Sequence, residues 1–149
     1  MSVRFVKGSI FDSDAQTLVN PVNAVGVSGA GLAKAFKKRL PNMHTAYARA
    51  CEDGVCKVGI PWLWKGERWV LCFPTKRHWR EPSELDFIER GLIRFAFVYR
   101  HWELRSVAFP ALGCGHGGLS WKDVQPLMFK HLERFDIPVE IYPPEASGR

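Results

Sequence analysis

A chain of 149 residues, 46% hydrophobic and 24% charged, has the size and balance of one soluble globular domain with a full core. No uncharged apolar run reaches the ~18 residues of a membrane span, and Met1-Ser2-Val3-Arg4 lacks a signal-peptide core, so we expect a cytoplasmic protein with no membrane partner. The net charge of +6 and a pI near 9.4 favour a polyanionic partner or an anionic ligand, although a plain excess of surface lysine and arginine gives the same charge.

Residues 3–6 alternate as a first strand, Gly8-Ser9 turn it, Ile10-Phe11 return to the core, and residues 12–16 are a polar connector. Thr17-Leu18-Val19 is a short apolar strand ending at Asn20-Pro21-Val22-Asn23, followed by a loop through Gly26, Gly29 and Gly31. Residues 31–40 read as a helix, with Leu32, Ala35, Phe36 and Leu40 near one face and Lys34, Lys37, Lys38 and Arg39 on the others. Pro41 ends it, Asn42 can cap the next helix, and Met43, Ala46, Tyr47 and Ala50 recur at helical spacing up to Gly54. Residues 60–64 and 69–73 are strand-like around a Lys65-Gly66-Glu67 turn, and residues 74–80 form an abrupt basic and aromatic loop. A long helix is predicted over 84–102, a strand over 105–109, a helix over 124–135 and a last strand over 138–142, with 143–149 a frayed tail. This order predicts an α/β sandwich with a mixed sheet. Cys51, Cys56, Cys72 and Cys114 have neither Cys-x-x-Cys nor His-x-x-x-His spacing, so no metal or cofactor is expected. Cys72 reads as a core residue, and no feature of the sequence supplies a base for Cys114.

The stretch after the 105–109 strand carries Gly113, Gly115, Gly117 and Gly118. A strand, a glycine loop and a helix together aim backbone N–H groups at a phosphate, and glycine also lets a ligand touch the backbone. The spacing is neither the Rossmann nor the Walker pattern, which points to a phosphate-containing ligand but not to an ATPase; the alternative is a flexible turn. The 26–31 loop also follows a buried strand, and such loops meet at the carboxyl ends of an α/β sheet. Either Ser120 or Asp123 can cap the last helix, and the choice decides where Pro126 falls.

Three stretches resemble the macrodomains, modules that bind ADP-ribose: Val19-Asn20-Pro21-Val22-Asn23, Gly29-Ala30-Gly31-Leu32-Ala33 and Pro110-Ala111-Leu112-Gly113-Cys114-Gly115. The resemblance implies a three-layer α/β/α fold with a mixed central sheet, and a single macrodomain over 1–149. Phe73-Pro74-Thr75-Lys76-Arg77-His78-Trp79-Arg80 and the run from Gly113 to Trp121 resemble one branch, the DNA ADP-ribosyl glycohydrolase antitoxins and the terminal ADP-ribose protein glycohydrolases. The implied activity is removal of ADP-ribose from thymidine in single-stranded DNA, with a cognate ADP-ribosyltransferase toxin as a possible partner. Hydrolysis of ADP-ribose on glutamate or aspartate of proteins, and ADP-ribose binding without chemistry, are the alternatives.

By the same resemblance, Lys76 is the catalytic lysine, and Asn20 and Asn23 stand beside the distal ribose. Gly29, Ala30, Gly31 and Leu32 form the first phosphate and ribose loop; Gly113, Cys114, Gly115, His116, Gly117 and Gly118 form the second. Ser9 and Ile10 meet adenine, and Tyr142 lies near the adenine-stacking position. Ser9 stands where many macrodomains carry an aspartate for the adenine amino group. Gly117 stands where the protein-directed glycohydrolases carry an acid, which favours the DNA-directed group. His116 stands where the antitoxins usually show asparagine. The toxin-gripping second domain usual in the antitoxins is missing, so the chain is a fragment or the protein acts alone.

Lysine attacks an anomeric carbon only as the neutral amine, the form that burial and cationic neighbours such as Arg77 favour. His116 can protonate the leaving group if it points inward; otherwise it is a loop histidine in water. Arg77, Trp79 and Arg80 combine cations with an aromatic face, which is how single strands are held. The alternatives are a surface Lys76, a Trp79 packed in the core and a solvated Arg80.

Overall fold

Two apolar runs form the middle of the sheet. β2 (Thr17–Asn23) and β4 (Trp69–Lys76) are buried along nearly their whole length and pair in parallel. β1 (Val3–Phe5), β5 (Val107–Pro110) and β6 (Val139–Tyr142) extend the parallel part, and β3 (Trp62–Lys65) joins β4 antiparallel. The order is β1-β6-β5-β2-β4-β3, a mixed six-stranded sheet. This computed structural model describes residues 3–144; residues 145–149 of the expected tail lie outside the described residues.

Helices cover both faces, which is why the central strands are apolar on both sides. Val19, Phe73 and Phe109 share one core cluster with α3 (Leu85–Val98) and α4 (Trp121–Leu132). Leu18, Val70 and Cys72 share another with α1 (Gly31–Arg39) and α2 (Pro41–Glu52). The result is the three-layer α/β/α arrangement. Among the described residues, no helix is long and apolar enough to cross a membrane.

Four local expectations are corrected. Pro74 does not end β4: the strand runs on to Lys76, and the register shifts so that Val22 faces Pro74 while Asn23 faces Lys76. Thr75 is therefore the extra residue of a bulge, a device that re-aims the side chains after it. Pro41 opens α2 rather than merely ending α1, because its missing N–H would be unpaired there anyway, and Asn42 lies inside the helix. α3 stops at Val98, since Glu103 takes a left-handed φ of 59° and the Leu104 N–H returns to Tyr99 O at 3.2 Å. Within the expected polar connector, Ser13 and Ala15 are buried behind a 3-10 turn (Ile10–Asp12).

Ser120, not Asp123, caps α4; its hydroxyl accepts the Lys122 N–H at 3.2 Å and leaves Pro126 in the second turn. Ser120→Ala should cost about 1 kcal/mol, read as a lower midpoint in urea at unchanged slope.

Candidate active site

A cleft of about 570 Å³ opens at the carboxyl ends of β2, β4 and β5. The β2–α1 loop and the first turn of α1 (residues 27–33) line it, as do Gly113, Gly115, His116 and Gly117 of the β5–α4 loop. Among the described residues, Lys76 and His116 are the only ionisable side chains that line it, and no carboxylate does. The site is built for an anion.

Both loops present unspent backbone donors. α1 begins at Gly31 without a side-chain cap, so the N–H groups of Gly31, Leu32 and Ala33 have no partner within the helix. In the β5–α4 loop, Cys114 N–H bonds Ala111 O at 3.2 Å, Gly118 N–H bonds Gly115 O at 3.2 Å, and Leu119 N–H bonds Gly113 O at 2.9 Å. Those bonds fold the loop, and among the described residues they leave the N–H groups of Gly115, His116 and Gly117 free. A helix N-terminus facing such a nest of amides suits a pair of linked phosphates. The His116 ring crosses to the other loop: a Cβ on Gly31 would lie 3.0 Å from its Cδ2.

Asn23 is at the cleft, but its side chain is largely committed to holding the loop. Its Oδ1 accepts from Val25 N–H at 3.0 Å and from the Tyr47 hydroxyl at 3.0 Å, and its Nδ2 donates to Val27 O at 2.8 Å. Asn20 does not reach the cleft. Alternation along β2 turns it inward with Leu18 and Val22, where it is 1% exposed with neither amide atom bonded.

Lys76 lines the cleft, its Nζ 3.4 Å from Trp79 O. Trp79 is 46% exposed at the cleft edge, with the Arg80 guanidinium 4.6 Å from its ring centroid and the His78 ring 5.1 Å away. It is not a core residue. Arg77 turns aside, its guanidinium 4.7 Å from the Phe87 ring centroid, and does not line the cleft.

The remaining expected contacts lie outside the cleft lining. Ser9 caps the 3-10 turn, accepting the Phe11 N–H at 3.2 Å. Ile10 packs in the core, and Tyr142 is buried with its hydroxyl donating to Glu140 at 3.2 Å. The Cys114 thiol turns toward Leu112 O at 3.6 Å, and burial pushes it up to about 11, which disfavours the thiolate. Gly118 turns the chain at a φ of 83° and its N–H is already bonded.

One functional residue had no sequence signal. Ser83 is buried just before α3; its N–H bonds Gly117 O at 3.0 Å and its hydroxyl donates to Thr75 at 3.0 Å. It ties the bulge of β4 to the second glycine loop. Ser83→Ala should cost about 1 kcal/mol, visible as a lower melting temperature.

A family model described as Macro domain matches residues 19–128. The chain is 40% identical over 153 residues to the DNA ADP-ribosyl glycohydrolase of Mycobacterium tuberculosis, covering 99% of this chain and 44% of that protein. It is 40% identical over 163 residues to the DNA ADP-ribosyl transferase-DNA ADP-ribosyl glycohydrolase fusion protein of Thermosipho africanus, covering 96% and 42%. The solved macrodomain of Mycobacterium tuberculosis DarG matches with a TM-score of 0.92 at 40% identity, over 96% of this chain and 98% of that one. Thermosipho africanus DarTG in complex with ADP-ribose matches with a TM-score of 0.93 at 41% identity, over 95% and 41%. The chain thus spans less than half the length of these curated relatives.

Proposed function

This chain belongs to the macrodomain family, and we propose that it is a DNA ADP-ribosyl glycohydrolase, removing ADP-ribose from thymidine in single-stranded DNA. The observation that carries this reading is Lys76 at the end of β4, lining a cleft whose two loops offer free amides to a diphosphate. Relatives 40% identical over nearly the whole chain are named DNA ADP-ribosyl glycohydrolase.

The two amide sets hold the diphosphate and thereby fix the distal ribose, converting attack at C1″ into an intramolecular event. The neutral Lys76 amine attacks C1″, the bond to the base breaks, and its electron pair goes to the base nitrogen, which takes a proton from His116. Water then hydrolyses the lysine adduct and releases ADP-ribose. Trp79 and Arg80 stand at the cleft edge, where a flanking base and phosphate of the strand would lie. The chain acts as one macrodomain in the cytoplasm, on a lesion made by a DNA ADP-ribosyltransferase.

The test is a parallel assay of ADP-ribosylated single-stranded DNA and glutamate-modified protein. Release from DNA alone is the expected result; release from protein alone overturns the assignment. Trp79→Ala should weaken binding of modified DNA by about 1 kcal/mol, the low end for a stacked base because the ring is half exposed, and leave free ADP-ribose binding unchanged.

A further inference from the structure

A second cavity, more open and about 900 Å³, lies on the outer side of α2, away from Lys76 and the β5–α4 loop, with Ala24 and Val25 of the β2–α1 loop on its wall. Val25, Arg49, Glu52 and Cys51 line part of it. Behind Cys51 the chain doubles back: the N–H groups of Val55 and Cys56 both bond Ala50 O, at 3.0 and 3.2 Å. That turn brings the fully buried Cys56 against the end of the helix that carries Cys51. Cys51 packs against the core cluster that holds Cys56 and Tyr47.

We propose that Cys51 and Cys56 are an oxidisable thiol pair, a modification site at which a peroxide joins the two sulfurs and loosens the loop of residues 23–28.

The Cys51 thiolate attacks one peroxide oxygen, the O–O bond breaks, and the departing oxygen leaves as water after taking a proton. The sulfenic acid so formed is attacked by Cys56; the S–S bond forms, the S–O bond breaks, and a second water carries off the Cys56 proton. Two thiols are oxidised and one peroxide is reduced to two waters. The roles follow from position. Cys51 opens on the cavity, and the Cys56 thiol, with help from Tyr47 and Gly26, holds it below the usual thiol range against the opposing effect of burial. Cys56 is pushed up by its bond to Cys51 and by burial, so it keeps its proton until the second step. Cys72 is pushed up by burial on β4, where its thiol meets the Met43 sulfur at 3.7 Å.

The pair also touches the first ligand loop. The Tyr47 hydroxyl donates to the Asn23 carbonyl at 2.8 Å and bonds Asn23 Oδ1, which also holds the Val25 N–H. The Gly26 backbone packs so closely on α2 that a Cβ there would lie 3.1 Å from Ala48 Cα. Drawing the Cys51 sulfur toward Cys56 pulls on the end of α2, the helix that carries Tyr47 and on which Gly26 packs.

Cys51 and Cys56 both fall on the tryptic peptide 50–57. Reduced native protein is treated with equimolar hydrogen peroxide, alkylated under denaturing conditions, digested and weighed. The expected peptide is two hydrogens lighter than its reduced form and carries no alkyl groups, while Cys72 and Cys114 are still alkylated. Cys56→Ser should stop the reaction at a sulfenic acid on Cys51, trapped by dimedone. Before oxidation, native Cys51 should alkylate at least about tenfold faster than Cys114. Doubly alkylated 50–57 peptide alongside oxidised Cys114 would overturn the pairing. A bridge that leaves amide exchange at Val25 and Gly26 unchanged would overturn the coupling to the loop.

Discussion

Replacing Lys76 by alanine should slow release of ADP-ribose from single-stranded DNA by about 10²- to 10⁴-fold. Free ADP-ribose should bind almost as before, because the proposed diphosphate site is made of backbone amides of residues 31–33 and 115–117. The split between turnover and binding is the informative part, since a contact made only in the transition state lowers the rate without lowering affinity. Lys76→Arg separates nucleophile from counter-charge. Guanidinium keeps the positive charge but does not become a neutral amine in a protein, so it should not restore the rate. Single-turnover rates on modified DNA, with calorimetry on ADP-ribose, read both quantities. An alanine variant with undiminished turnover would leave the cleft a binding site only.

The sequence marked the cleft wherever the requirement was local. Glycine crowding at 113–118 and at 26–31 announced two loops that present backbone, and the apolar runs before them announced buried strands. The position of Lys76 was harder to read. Pro74 signals a break in a strand, yet the bulge at Thr75 carries β4 past it, so Lys76 leaves the sheet from a paired strand rather than from a free loop. Asn20 and Asn23 are alike in sequence but not in place: three residues apart across a register shift, one is sealed in the core and the other anchors a loop. Ser83 was invisible because its importance lies in what packs on it, Gly117 and Thr75, which are distant in the chain. Ser9, Ile10 and Tyr142 lie apart from the cleft lining, engaged in a cap, a core contact and a bond to Glu140, none of which motif matching weighs.

Gly117→Ala should lower ADP-ribose affinity roughly tenfold to hundredfold, whereas Gly115→Ala should change it little. Both residues line the cleft with free N–H groups, so donor chemistry does not distinguish them. Space does. A Cβ on Gly115 meets nothing within 4 Å. A Cβ on Gly117 would collide with Ser83 Oγ and would lie 2.6 Å from Gly113 O, a backbone atom pinned by the Leu119 N–H. The loop must then move, and with it the three amides and the Ser83 N–H bond to Gly117 O. Overpacking of this kind costs about 1–3 kcal/mol, which is the stated range of affinity at 1.4 kcal/mol per tenfold. Calorimetric titration with ADP-ribose and a thermal melt on each variant test this. Equal losses at 115 and 117 would mean that the amides, not the Ser83 contact, set the shape of the loop. The same collision means that an acidic side chain at 117 does not fit beside Ser83 unless that serine moves.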